Sequence, residues 1–151
     1  SAEYLDARQD NNLKVGNDYL PTSGKTAVNA PKYQLGFGLD YDDGRFFGNA
    51  GIKWVGRQYA TFMNDASIDQ YVQADMTAGY RLHDIGMLKN MEFRLNIVNL
   101  ANNHYLSGVY SVKSNAQATT GTMGSTIAAS GAPSYYVSTP FMAMGTVTAG
   151  F

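Results

Sequence analysis

The residues with the most obvious chemistry do not assemble into a reaction centre. Ser23-Gly24-Lys25-Thr26 is half of a phosphate loop. The full motif needs glycine where Tyr19 stands, and a following helix that Asn29-Ala30-Pro31 forbids, so this reads as an ordinary loop. Asp40, Asp42, Asp43 and Gly44 hint at a calcium loop, but the spacing fails and no distal glutamate follows, so they read as a hairpin turn with solvated carboxylates. His83 and His104 are the only histidines, each beside a turn or rim and without a second histidine nearby. No cysteine is present, which excludes a disulfide staple and a zinc cluster. No placement of Ser, His and Asp favours a nucleophilic triad. No enzyme, metal or cofactor is expected.

What remains is a set of charges at alternating positions. Lys53, Arg57, Asp69, Asp75, Arg81 and Arg94 fall on polar parities of extended stretches, where they can pair across strands, hold a neighbouring domain or touch a ligand. A second set is aromatic. Tyr105, Tyr110, Tyr135 and Tyr136, with His104, flank the long segment Ser107–Ser134. They could stack on sugars or planar chelates, or simply mark a membrane interface. The segment between them is Ser, Thr, Ala, Gly and Asn with one charge, Lys113, and reads as a mobile lid or a disordered hoop.

The elements that must position these groups are long strands. About Lys32–Asp42, odd positions are Tyr33, Leu35, Phe37, Leu39 and Tyr41, and even positions are Gln34, Gly36, Gly38, Asp40 and Asp42. That is strand periodicity with one apolar face. A further extended segment is marked at about Ala2–Asp10, and similar alternation marks strands at about Arg45–Ala60, Ile68–Leu82, Met91–Leu106 and Tyr135–Phe151. A polar loop, Asn11–Ala30, separates the first two, Asp43-Gly44 makes a tight turn, and a turn with Gly86 precedes the fifth strand. Connections alternate long and short, and no capped helical period or internal repeat appears.

The apolar faces point to lipid. Charged residues are 15 % of the chain, below the roughly 25 % of a soluble domain. The mean hydropathy of −0.26 is compatible with a membrane barrel, whose strands are apolar only at every second residue. Tyr33 and Tyr41 share a parity, and a tilted strand separates them by roughly 20 Å along a membrane normal, close to the height of a barrel's apolar band. The net charge of −1 and a pI near 6.0 argue against nucleic acid as partner. Membrane barrels of bacteria have at least eight strands, and open edges in hydrocarbon cost several kcal/mol per unpaired backbone group. Six strands are therefore expected to be a piece of a larger wall completed by the same or another chain.

Several pieces resemble TonB-dependent outer-membrane receptors, in family order. They are Tyr4-Leu5-Asp6-Ala7, Ala30-Pro31-Lys32-Tyr33, Trp54-Val55-Gly56-Arg57-Gln58-Tyr59, Tyr71 to Asp75 with Gly79-Tyr80-Arg81, and the run Asn96 to Tyr105 with its N-x-x-N-L core. Phe151 matches the terminal aromatic of the barrel assembly signal, although Thr146 stands where glycine is favoured. The resemblance implies that residues 1–151 are one all-β segment, the C-terminal portion of an antiparallel, about 22-stranded transmembrane barrel. The plug domain and earlier strands would lie outside it. It further implies a Gram-negative outer membrane and uptake of a siderophore, haem, cobalamin or oligosaccharide. The implied partners are plug, TonB, lipid and barrel assembly machinery. A structural barrel component without transport, or a passive porin segment, are the rival readings.

Overall fold

The computed structural model describes residues 1–83 and 89–150. Among these, every regular element is a strand. Six form one antiparallel sheet: β1 (Ala2–Tyr4), β2 (Tyr33–Asp42), β3 (Phe46–Val55), β4 (Tyr71–Leu82), β5 (Lys89–Val98) and β6 (Met142–Gly150). They follow one another in chain order, so the sheet is a meander. The β2–β3 turn closes in three residues, with Gly44 at φ +92°. Asp43 accepts hydrogen bonds from the Arg45 and Phe46 N–H groups, and Asp42 from that of Gly44. The turn expected around Gly86, like Phe151, lies outside the described residues.

Register makes the two faces consistent across the whole sheet. Leu35, Trp54 and Val72 are aligned, as are Leu39, Ala50, Met76, Ile97 and Ala143. Two rows further along the same face come Phe46, Tyr80, Phe93 and Val147. The opposite face carries Asp40, Asn49, Thr77 and Asn96 in one row. The apolar face is open: Phe37 is 64 % exposed and Leu39 61 %. Among the described residues nothing covers it, so the large apolar side chains of the sheet do not form a core.

The packed interior lies elsewhere, in the three long connections at one end of the sheet. Here the structure corrects the expected strand lengths. The stretches expected at Arg45–Ala60, Ile68–Leu82, Met91–Leu106 and Tyr135–Phe151 each divide. Gln58–Tyr59 leaves the sheet to pair with Ser67–Ile68, and Leu106–Ser111 pairs with Ser134–Val137. Asn99, at φ +52°, turns the chain out of β5, and Pro140, which offers no N–H, separates the last two strands. The expected polar loop contains the hairpin Leu13–Val15 with Asp18–Leu20, and the segment expected as lid or hoop contains Thr119–Thr120 paired with Thr126–Ile127. Ala60, Ile68 and Val109 are the buried centre of this cap, and Tyr135 packs against them.

Candidate functional site

The polar face and the cap above it hold the chemistry. On the polar face, β2, β3, β4 and β5 bring Asp42, Phe47, Gly79 and Arg94 into one row, with Arg81 and Glu92 in the next. Arg81 Nη1 reaches both oxygens of Asp42 at 2.8 Å, and its Nε donates to Glu92 at 3.3 Å. Arg94 holds the other Glu92 oxygen at 2.7 Å. The Phe47 ring lies over Gly79, where a β-carbon would collide with it, and the Arg81 guanidinium sits 4.1 Å from its centroid. Glycine is needed at position 79 for space rather than for backbone freedom.

Further up the same face, Asp75 accepts from Gln73 at 2.7 Å and from the Asn99 N–H at 2.9 Å, so it fixes the turn that ends β5. Among the described residues no carboxylate pairs with Lys53. Arg57 and Asp69 pair with each other at 3.3 Å with exposed side chains, beyond the ends of β3 and β4. The six charged positions therefore divide. Lys53, Asp75, Arg81 and Arg94 stand on the sheet, and Arg57 and Asp69 at the base of the cap.

The cap is held by amide and carboxylate side chains acting on backbone. Asn29 (φ +55°) both accepts from the Val109 N–H and donates to its carbonyl, at 3.0 and 3.3 Å. Asn64 (φ +58°) does the same to Thr26, both at 2.9 Å. Each asparagine thus imitates a strand neighbour from a left-handed position that its short polar side chain tolerates. Asp65 takes the Thr61 hydroxyl and the N–H groups of Ala116 and Gln117. Burial opposes its ionisation, yet these donors hold its pKa below the ordinary carboxylate value.

Asp18, only 4 % exposed, is clasped by the Ser125 hydroxyl and the N–H groups of Met123, Tyr19 and Ser125. The Ser125 hydroxyl is the largest influence, burial works against it, and the result is a pKa lowered to about 2. Asn115 is buried, donating to the carbonyls of Gln117 and Ala128. None of these cap residues was flagged by periodicity. The available signal was asparagine or aspartate beside loop turns, a signal shared by many solvent-facing positions.

The flanking aromatics separate by face. Tyr135 turns inward to the cap centre. Tyr110 and Tyr136 meet edge to face, 5.5 Å between centroids, and are 71 % and 54 % exposed. Tyr105 stacks flat on Tyr71 at 4.2 Å, and burial pushes its hydroxyl above the ordinary phenol range. His104 lines a cleft with Trp54.

A family model described as TonB dependent receptor-like, beta-barrel, matches residues 1–100. Among solved structures, the chain is similar to BauA, the ferric preacinetobactin receptor from Acinetobacter baumannii, with TM-score 0.56 and 23 % identity over 97 % of this chain and 19 % of that one. It is also similar to the siderophore receptor PiuA from Acinetobacter baumannii, with TM-score 0.57 and 17 % identity over 91 % of this chain and 17 % of that one. At these identities the likeness establishes the fold, and the chain spans less than a fifth of either receptor. No curated protein matches.

Proposed function

Since the chain belongs to the TonB-dependent receptor β-barrel family, we propose that it forms the C-terminal wall of an outer-membrane transporter in a Gram-negative bacterium. The full barrel takes up a scarce ligand, of the siderophore, haem, cobalamin or oligosaccharide class, with energy delivered through TonB. Within that class a ferric siderophore is favoured, because one similar structure is named a siderophore receptor and another a ferric preacinetobactin receptor. The supporting observation is the division of the sheet: an uncovered apolar face opposite a face of ion pairs, with all three long connections folded into one cap. A wall of this kind separates lipid from a wet lumen.

In this reading the apolar face meets lipid. The Arg81–Asp42–Glu92–Arg94 network and Lys53 face the plug, and Tyr110 with Tyr136 offers a ligand-contacting edge at the mouth. The rest of the barrel and the plug come from the same or another chain. The test is uptake of radioiron-loaded siderophores by cells carrying the intact protein, with and without TonB. TonB-dependent accumulation is expected. Accumulation that persists without TonB would favour a passive porin, and none under any condition would favour a purely structural component.

A further inference from the structure

One part of the polar face is not polar. Met142 lies opposite Val98 and Met144 opposite Asn96 in the β5–β6 register, and the Asn96 side chain meets that of Thr77 on β4. Directly opposed residues of an antiparallel pair share a face, so both methionines stand on the side of the ion pairs. Both are exposed. The other large apolar or aromatic side chains of that face are withdrawn: Val55 is buried, Phe47 lies under Arg81, Tyr71 is stacked by Tyr105, and Val98 is half-buried. Among the described residues of the sheet, Met142 and Met144 are therefore the large apolar side chains that this face leaves open.

We propose that Met142 and Met144 together hold a soft monovalent cation of the Cu(I) or Ag(I) class. Two residues along a strand place their Cα atoms roughly 7 Å apart on one face, and the unbranched, freely rotating methionine side chain lets both sulfurs swing onto one ion between them. Contact with an apolar neighbour would be served as well by leucine or valine, and valine is the better strand former. What methionine alone adds is a thioether. Thioethers take soft cations and leave magnesium and calcium to oxygen donors. The surroundings agree with that choice. Asp75 is two strands away and is held by Gln73 and the Asn99 N–H, and Glu92 is held by Arg81 and Arg94. Arg94, two residues along β5 from Asn96, is neutralised by the same Glu92, so a single positive charge enters beside uncharged Asn96 and Val98. Among the described residues no cluster of histidine, cysteine and carboxylate could compete for the ion. The site is independent of the ligand that the barrel transports.

The experiment titrates silver ion, in chloride-free buffer, into the intact barrel in micelles, with isotope-labelled methionine methyl groups followed by NMR. Each signal is assigned by its loss in the corresponding leucine variant. The Met142 and Met144 methyls should shift together and saturate at one silver ion per chain. Met123, a lone exposed methionine in the cap, is the internal reference. The pair should bind about tenfold or more tighter than Met123, because the second sulfur binds intramolecularly. Met142→Leu or Met144→Leu alone should lower the remaining methionine to the affinity of Met123. Leucine keeps the volume and apolar character of the side chain, so the variants fold as the parent does. Met142 and Met144 responding no more tightly than Met123 would overturn the proposal. So would a single leucine variant that leaves the affinity of the other methionine unchanged.

Discussion

Asn64 is the most economical place to test whether the cap behaves as one folded unit. Its side chain makes three hydrogen bonds, to the Thr26 N–H and carbonyl at 2.9 Å and to the Thr61 carbonyl at 3.2 Å. Asn64→Gly keeps the left-handed backbone accessible and removes all three. Two of the three, those to Thr26, join the first connection to the second, and at about 1–1.5 kcal/mol each their loss weakens that docking by about 2–3 kcal/mol. Asn64→Ala adds about 1 kcal/mol, because alanine resists φ near +58°. The reporter is the Asn29 N–H, which spans the same two connections by donating to the Tyr59 carbonyl without touching Asn64. Hydrogen exchange of the intact barrel in micelles should show this amide opening roughly 30- to 150-fold more often in the glycine variant. The alanine variant should show about a further fivefold. Exchange at Asn29 within about twofold of the parent in Asn64→Gly would refute the coupling of the two connections. Equal effects of glycine and alanine would refute the backbone argument.

Three further outcomes are expected. Gly79→Val should push the Phe47 ring off the sheet and separate it from Arg81, lowering stability by about 1–3 kcal/mol, read as loss of the heat-modifiable folded band in cold detergent gels. Leu39→Arg on the apolar face should cost about 2–4 kcal/mol of folding into vesicles, whereas Asp40→Arg, its neighbour on the polar face, should fold nearly as well as the parent. Asp18 has a folded pKa of about 2 against an ordinary 3.8, so its contribution is present above 3.8 and is lost as pH falls toward 2. Protease cleavage in the 119–127 hairpin should therefore stay slow at neutral and mildly acidic pH and rise across that window. Asp18→Asn should cleave readily at every pH.

The meander and its two faces were legible in the sequence because a strand writes its orientation into every second residue. Tyr33 to Tyr41 and Val72 to Leu82 carry unbroken apolar parities, and the aligned rows of the sheet follow from such parity and the short β2–β3 turn. The family could be read as well, since its motifs sit at the strand starts and ends where side chains are repeatedly constrained.

The cap was not legible. Its strands are two to six residues long, too short for periodicity to rise above chance, and its bonds join residues far apart in sequence, such as Asp18 to Ser125 and Asn29 to Val109. Side-chain amides that complete another segment's backbone leave no local pattern, so only the tertiary structure turns Ser107–Ser134 from a featureless polar stretch into paired hairpins. The same limit applies to His104. Its position in one cleft with Trp54 depends on Asn99 bending the chain. The alternation of single residues determined what each strand shows to either side, and the bonding between distant loops determined what stands above them.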